Sequence, residues 1–277
     1  MPDSTRTIPI TRAVTLLSYV DALKDIGAPV DAGLRRARLP TLLEPDSHCW
    51  VPYRLIRLFT ADMAYREGIP DLGSIDQANS IDTSLESTLV SPVLNAPNLK
   101  QALAALSTFS KIQTPGVETW LKRAGDEAQA CLELPMGRET PGHVIAETRT
   151  LKQMLNVINA FLGMQLSPTE ILLSSSDREI HSDLECSFQG IPVKTGQDCS
   201  AIVLPRALLA KERNVKTIPP EYAIGETVKP EVPPNLADTL VDCIRPYFRE
   251  GYPKIEVAAE IAHTSVRSLQ RELAKHN

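Results

Sequence analysis

The sequence predicts an α+β fold: a helix-rich first domain with a small antiparallel sheet, followed by an all-α segment near the C-terminus. Three observations support this prediction. Apolar residues recur at helical spacing through much of residues 11–112 and again in residues 143–162. Between these stretches, residues 117–122 and 129–134 are short runs rich in strand-forming residues. A proline-rich stretch then precedes several short amphipathic helices.

The composition indicates a globular protein with one large or two moderate domains. The chain has 277 residues, 43% of them hydrophobic, which is ample for a buried core. No apolar run is long enough to span a membrane, and the N-terminus MPDSTRTIPI lacks the apolar stretch of a signal peptide. We therefore expect a cytoplasmic protein without membrane contact. The net charge of -5 implies no general affinity for nucleic acid.

Three of the predicted helices in the first domain begin or end at recognisable signals. The helix at residues 11–26 carries Leu16, Val20 and Leu23 on one face and ends before Gly27. A short helix follows at residues 31–37. Proline suits the first turn of a helix, and Pro52 precedes a helix at residues 53–67. Asn98 is the expected N-cap of a helix at residues 99–112, and a weaker pattern predicts one at residues 84–94.

Strands are predicted on both sides of one long helix. The runs at 117–122 and 129–134 flank a turn at residues 123–127, which is typical of a hairpin. The long helix covers residues 143–162, with Ile145, Leu151, Leu155, Ile158 and Leu162 along its apolar stripe. The remaining strands and single helical turns are shorter. The strands are expected at residues 169–173, 192–195 and 200–204, and the turns at residues 183–188 and 206–211.

A semi-rigid linker is predicted at residues 217–234, because TIPPEYAIGETVKPEVPP has five prolines among its 18 residues. Asn235 can cap the helix that follows at residues 236–248. Its pattern places Leu240, Ile244 and Phe248 inward, and Pro246 is expected to kink its last turns.

Two short helices at residues 255–262 and 265–273 have the pattern of a helix-turn-helix. In the second helix, Val266, Leu269 and Leu273 form a buried stripe. Arg267, Gln270 and Arg271 recur at i, i+3 and i+4 on the other side, where their side chains could reach base edges together. We therefore predict that these three residues contact DNA, with Ser265 and Ser268 beside them. Ser265 is also the expected N-cap of this helix.

The consecutive residues of this helix pair resemble the first helix-turn-helix of the AraC family of transcriptional regulators. The resemblance rests on IEVAAEIA at residues 255–262 and SVRSLQREL at residues 265–273. It implies a transcription regulator that binds double-stranded promoter or operator DNA. Members of the family usually carry two such motifs, so we expect that this chain is truncated after the first one. The reader at residues 235–277 would then be incomplete.

The first domain resembles a second part of the same family. The phrases VPYRLIRLFTADMAYREGIPDLG, SPVLNAPNLKQALAALSTFSKI and CSAIVLPRALLA resemble the N-terminal sensor domain called "arabinose-binding". The branch concerned includes regulators of ornithine and arginine use and of virulence. The resemblance implies a sensor and dimerisation domain at residues 11–215, a linker at 216–234, a small-molecule effector and a homodimer.

An effector pocket is expected between the helices and the sheet, with a mostly apolar lining. Its candidates are Trp120 on the first strand, Arg149 and Asn156 on the long helix, and Tyr53 on the helix after Pro52. Ordinary core or surface positions remain the alternative for each. The ligand-binding residues are otherwise unassigned, and the sequence identifies neither the effector nor the operator.

The sequence predicts no enzyme, no cofactor and no metal site. It contains no G-x-S-x-G, H-E-x-x-H, P-loop or Rossmann glycine pattern. Its scattered Asp, Glu and His residues are expected at the surface or at helix caps. The five cysteines are widely spaced without a C-x-x-C pair, which favours reduced and mostly buried thiols over a redox sensor or a metal site. The competing function is a sensor or dimerisation module that acts through protein contacts without reading DNA.

Overall fold

The protein is described by a computed structural model that covers residues 8–43, 49–75, 92–176, 184, 187–213, 232–233 and 235–274. Two compact units divide the chain. Unit 1 comprises Met1–Met63 together with Glu231–Asn277, and unit 2 comprises Ala64–Pro230. Each unit is a set of residues that contact one another more than they contact the other unit, and this division carries no information on function. The expected division into a sensor at 11–215, a linker at 216–234 and a reader at 235–277 therefore stays a prediction.

The described residues contain runs of helices and runs of short strands, which confirms the α+β fold class. The α-helices are α1 (Ala13–Asp25), α2 (Val30–Arg36), α3 (Tyr53–Glu67), α4 (Leu99–Gln113), α5 (His143–Leu162), α6 (Leu236–Ile244), α7 (Ile255–Ile261) and α8 (Val266–Leu273). The strands are β1 (Ile10–Arg12), β2 (Trp50–Pro52), β3 (Glu118–Ala124), β4 (Glu127–Glu133), β5 (Glu170–Leu172), β6 (Val193–Lys194) and β7 (Ser200–Pro205).

The N-terminal part of unit 1 begins with a short strand rather than with the predicted helix. β1 pairs antiparallel with β2, so Thr11 and Arg12 are extended and α1 starts at Ala13. The Arg12 guanidinium carbon lies 3.7 Å from the centre of the Trp50 ring, which adds a cation–π contact to the pairing. α2 packs so closely on α3 at Gly33 that a Cβ at this position would lie only 2.4 Å from the Met63 sulfur.

The helix after Asn235 is shorter than its sequence pattern indicates. Asn235 caps α6 as predicted, since its side-chain oxygen accepts a 3.0 Å hydrogen bond from Asp238 N–H. The chain then tightens into a 3-10 helix at Arg245–Arg249, with Pro246 in its first turn. A 3-10 helix has three residues per turn, so Tyr247 faces inward. The prediction that Phe248 faces inward is wrong, because its side chain is 53% exposed.

Unit 2 is built on a five-stranded sheet with the order β3-β4-β7-β5-β6. The predicted hairpin is present: β3 pairs antiparallel with β4, from Glu118 opposite Glu133 to Ala124 opposite Glu127. The expectation of a wholly antiparallel sheet is wrong in one place, because β5 and β6 pair in parallel. Their connection, residues 173–192, is long enough for the crossover that a parallel pair requires.

Helices α4 and α5 pack against one face of this sheet. Ala128, Ala130 and Leu132 of β4 join the apolar residues of both helices in one buried cluster. Asn98 caps α4 as predicted, accepting a 3.0 Å hydrogen bond from Gln101 N–H. The other face of the sheet has a smaller buried cluster, which consists of Cys131, Leu172, Ala201 and Val203. The inner strands are therefore apolar on both faces.

A buried carboxylate ties α5 to the sheet. Glu147 is fully buried, and its carboxylate accepts hydrogen bonds from Ser174 N–H at 2.6 Å, from Ser174 Oγ at 2.7 Å and from Ser200 Oγ. His143 Nε2 lies 3.0 Å from Ser174 Oγ and is also buried. The expectation that charged residues and His143 lie at the surface or at caps is therefore wrong for this pair. The sequence pattern of buried residues does not reveal this pair, because Ser174 and Ser200, the hydrogen-bond partners of Glu147, are distant from it in sequence.

Some predicted elements lie outside the described residues. The linker at 217–234 does so apart from residues 232–233, the helix at 84–94 does so for most of its length, and the turn at 183–188 does so for half of its residues. The predicted turn at residues 206–211 is present as a 3-10 helix, Arg206–Ala210. Among the described residues, no helix is both long enough and apolar enough to cross a membrane.

We predict that Glu147→Ala lowers the free energy of unfolding by about 3 to 5 kcal/mol, because it leaves several buried donors without their charged acceptor. Urea unfolding followed by circular dichroism measures the change. The control is Glu139→Ala, which removes an exposed carboxylate in the same unit. Equal urea midpoints for Glu147→Ala and the parent would contradict the role of this carboxylate.

Candidate nucleic-acid interface and effector groove

The turn between α7 and α8 is fixed by backbone hydrogen bonds. His263 N–H donates to Glu260 C=O at 2.9 Å, and Thr264 N–H donates to Ala259 C=O at 2.8 Å. These two bonds form a Schellman motif, in which the residue just after the end of the helix has a left-handed backbone. His263 takes that position with φ 48°. The buried side chains of Ala259 and Ile261 bring the packed face of α7 close to its neighbours.

The start of α8 is capped by Ser265, as predicted. Its hydroxyl accepts a 3.2 Å hydrogen bond from Ser268 N–H and lies 3.0 Å from Ser268 Oγ. Leu269 is only 1% exposed, whereas Val266 and Leu273 are half-buried. The predicted apolar stripe therefore has one fully buried residue at its centre.

The predicted DNA-contacting side chains lie on the opposite side of α8. Arg267, Gln270 and Arg271 are all exposed. The Arg271 side chain is 72% exposed, and its guanidinium is 4.0 Å from Glu272 Oε1, a loose pair. The structure thus brings together two guanidinium groups and one amide on a single exposed face. In a major groove each guanidinium can donate two hydrogen bonds to a base edge, and the amide can donate one and accept one.

Residues of the segment after α2 hold the helices that precede α8. Arg38 has a left-handed backbone with φ 55°, and its C=O accepts a 2.7 Å hydrogen bond from Tyr247 OH. Its guanidinium forms a 2.5 Å ion pair with Glu260 near the end of α7. Glu250 accepts hydrogen bonds from Thr41 N–H and, at 2.8 Å, from Leu42 N–H. We call these contacts the Arg38 clamp; no local sequence pattern signals them.

A groove lies in unit 2 where α4 crosses the β3–β4 hairpin. Its volume is about 260 Å³. The lining is mostly apolar, and its residues are Lys100, Leu103, Ala104, Leu106, Ser107, Thr119, Trp120, Leu121, Ala130, Cys131 and Met154. Trp120 is 40% exposed and lies opposite Cys131 in the hairpin register, so its side chain belongs to the sheet face that carries Cys131, whereas Thr119 and Leu121 face α4.

One of the four candidate pocket residues is part of the lining of this groove. Trp120 lines the groove, whereas Arg149 is buried on α5 outside its lining and Asn156 is exposed. Tyr53 belongs to unit 1, where burial raises the pKa of its phenol. The groove residues that sequence reasoning did not select include Lys100 and Ala104. The signal for them would have been the row of small and polar residues, Lys100, Ala104 and Ser107, that runs beside the apolar stripe of α4 at i, i+4 and i+7.

Four cysteines lie in the described part of the chain, and none of them forms a disulfide. Cys131 and Cys243 are buried, while Cys49 and Cys199 are half-buried. Burial raises the pKa of the Cys131 thiol to about 12, and the neighbouring Cys199 thiol adds to this shift. Thiols of this kind stay protonated at neutral pH. Within the described residues, no group of three or more His, Cys, Asp or Glu side chains could hold a metal ion.

Most of the chain matches a known family of proteins. Residues 27–212 match the family model described as the arabinose-binding domain of AraC transcription regulator, N-terminal. The crystal structure of the transcriptional regulator CdpR from Pseudomonas aeruginosa is similar, with 15% sequence identity and a TM-score of 0.47. The alignment covers 90% of this chain and 78% of that chain. No curated protein matches the sequence.

We predict that Tyr247→Phe lowers the free energy of unfolding of unit 1 by about 1 kcal/mol, because the Arg38 carbonyl loses its hydrogen-bond donor. Thermal unfolding of the full chain measures the change. Tyr252→Phe removes a hydroxyl from a side chain that is 93% exposed and should leave the stability unchanged. Identical unfolding of the two variants would contradict the contribution of the Tyr247 hydroxyl.

A second prediction concerns alkaline pH. The pKa of Cys131 is raised from 9.0 to about 12, so its contribution is fully present below pH 9 and is lost as the pH rises through 12. Above pH 9 the unfolded chain releases this proton while the folded chain keeps it. The loss is on the order of 1 kcal/mol per pH unit.

Cys131→Ala isolates this contribution from those of the other buried thiols and phenols. Urea unfolding of the parent and the variant under reducing conditions, at pH 8 and pH 10, gives the two differences in stability. The difference should be about 1 kcal/mol smaller at pH 10. A difference that is independent of pH would show that the folded state does not hold this thiol protonated.

Proposed function

Because the chain belongs to the AraC transcription regulators that carry the arabinose-binding type of N-terminal domain, we propose that it is a sequence-specific DNA-binding regulator whose N-terminal domain senses a small molecule. The family consists of transcription regulators and not of enzymes. The matched residues, 27–212, cover most of the expected sensor domain. They end before the helix pair α7–α8, so the DNA-binding part of the proposal rests on the residues of that pair.

The exposed face of α8 is the observation that carries DNA binding. Leu269 is fully buried beneath it, while Arg267, Gln270 and Arg271 on its other side are turned to solvent. In a major groove, Arg pairs best with the O6 and N7 atoms of guanine, and Gln with the N6 and N7 groups of adenine. In this proposal α8 is the recognition helix of a helix-turn-helix, and α7 is the helix that supports it.

Ser265 and Ser268 have a different part in the proposed interface. Their hydroxyls are engaged with each other and with the first turn of α8. The N-terminus of a helix offers unpaired N–H groups and a favourable dipole for a phosphate. We propose that these serines contact the DNA backbone and set the register of the helix, whereas the trio reads bases.

The sensor half of the proposal supplies regulation. A domain at residues 11–215 would bind the effector and form a homodimer, and a linker at residues 216–234 would join it to the reader. A dimer suits this function because two recognition helices read two half-sites. The sequence phrases of the first domain further support the branch that contains regulators of ornithine and arginine use and of virulence.

The second candidate is a sensor or dimerisation module that acts through protein contacts alone. The Arg38 clamp favours it in one respect, since it uses α7 as a packing element. However, the clamp leaves Arg267, Gln270 and Arg271 exposed. A helix that serves packing alone also has a polar exposed face. What favours the DNA-binding candidate is therefore the resemblance of residues 255–273 to a helix-turn-helix, together with the accessibility of the three side chains.

We predict that Arg271→Ala weakens binding to a specific duplex by about 1 to 3 kcal/mol, because one bidentate base contact is lost, and relaxes preference at that base pair. The duplex is selected from a random-sequence pool by the parent protein, and fluorescence anisotropy gives the affinities. Arg267→Ala and Gln270→Ala should show similar losses at other positions.

The matched control is Arg245→Ala. The Arg245 side chain is 70% exposed, almost as exposed as that of Arg271, but it lies on the 3-10 helix outside the proposed interface. It should retain the affinity and selectivity of the parent. If all three α8 variants bind the selected duplex as tightly and selectively as the parent, the assignment of α8 is wrong and the protein-contact candidate gains support.

A further inference from the structure

The groove between α4 and the β3–β4 hairpin exists because small side chains meet there. Ala104 and Ser107 of α4 stand over a hairpin that contributes Ala130. Larger residues at these positions would fill the space, as Leu103 and Leu106 do nearby in the core. Met154 of α5 also lines the groove, and its unbranched thioether side chain can adapt to the shape of a ligand.

Charge is placed at one end of the groove. Lys100, in the first turn of α4, is the charged residue among the described residues that line it, and its ammonium has no partner in that part of the chain. Lys111, near the other end of the same helix, is already paired with Glu118 at 2.7 Å. The positive end of the helix dipole reinforces the Lys100 charge. An anionic group at this end would therefore gain an ion pair without displacing one.

We infer that this groove binds an amphiphilic carboxylate, with its carboxylate at Lys100 and its apolar body between α4 and the hairpin. The inference rests on the proposed sensing function and names its ligand class. Liquid water occupies about 30 Å³ per molecule, so the groove has room for roughly nine ligand heavy atoms. A carboxylic acid of medium chain length, or one with a single aromatic ring, is of this size.

A sugar fits the lining less well. Each sugar hydroxyl that loses water needs a hydrogen-bond partner in the site. Ser107 Oγ donates to Thr119 C=O at 3.2 Å and so keeps only its capacity to accept, while the Thr119 hydroxyl and Lys100 are the other main polar groups of the groove. Leu103 and Leu121 offer apolar contact instead. The lining therefore favours a ligand with one polar end.

Isothermal titration calorimetry of the full chain with sodium octanoate tests the inference, with 1-octanol and L-arabinose as comparison ligands. Octanoate should bind at one saturable site. Octanol, which keeps the chain but lacks the charge, should bind about three- to tenfold more weakly, since a charge-assisted hydrogen bond is lost. Arabinose should not bind in the groove.

Two variants test the two ends of the site. Lys100→Ala should weaken octanoate binding about three- to tenfold and leave octanol binding unchanged. Ala104→Phe places a ring in the groove from an exposed position on α4, so it should abolish octanoate binding without unfolding the domain. Lys111→Ala is the control, because it removes the same charge from the same helix outside the groove and should bind octanoate like the parent.

Failure of this inference is distinguishable from failure of the proposed function. No octanoate binding, or binding that both Lys100→Ala and Ala104→Phe leave intact, overturns the assigned ligand class. Arabinose binding that Ala104→Phe abolishes also overturns it in favour of a sugar. If the α8 variants nevertheless lose their selected duplex, the regulator proposal stands. If octanoate binds as described while the α8 variants retain normal DNA affinity, the groove stands and the DNA reader falls.

Discussion

The architecture of unit 2 depends on one buried carboxylate, that of Glu147. It accepts hydrogen bonds from Ser174, just after β5, and from Ser200, the first residue of β7. A buried charge is tolerated only when such partners surround it, and here they come from two neighbouring strands. The carboxylate therefore fixes the position of α5 along the sheet as well as its rotation. Apolar contacts alone would fix neither, because they are not directional.

This constraint extends to the groove. Met154 lies two turns beyond Glu147 on α5, a spacing that places both residues on the same face of the helix. Once Glu147 is held, Met154 is held beneath α4 and the hairpin. The close approach of Gly73 acts on the same helix: a Cβ there would lie 2.2 Å from the Ile145 carbonyl oxygen. Lys152 Nζ also donates to Ser74 C=O at 2.8 Å. The position of α5, and with it one wall of the groove, is set by polar and steric contacts as well as by apolar burial.

Local signals predicted most of the elements, and contacts between distant residues account for what was missed. α3 and α5 have the predicted bounds, because Pro52 precedes the first and Gly142 and Gly163 flank the second. Phe248 was placed inward because the sequence pattern assumed 3.6 residues per turn, whereas the chain tightens at Pro246. The local pattern predicts helix at Thr11 and Arg12, which are strand, because the pairing of β1 with β2 joins residues far apart in sequence.

In the candidate site, too, local features were predicted and features that depend on distant residues were missed. The N-cap at Ser265 and the two faces of α8 depend on neighbours within one helix, so the sequence predicted them. The Arg38 clamp and the groove depend on residues brought together by the fold, such as Arg38 with Glu260 and Ala104 with Ala130. Trp120 was selected for the pocket as an aromatic residue on a strand. Nothing in its local sequence distinguished it from Tyr53, which lies in the other unit.

Because α8 is short, the residues around it would determine how accurately its exposed side chains are positioned for DNA recognition. With eight residues, the helix is too short to be stable by itself in water. Its stability must come from the Ser265 cap, from Leu269 and from the Schellman turn at His263. Base recognition needs side chains held in a narrow range of positions. The positions of Arg267, Gln270 and Arg271 are therefore set by residues that would touch no base. The left-handed backbone of His263 allows the two hydrogen bonds of the turn to form. These bonds fix the angle at which α8 leaves α7.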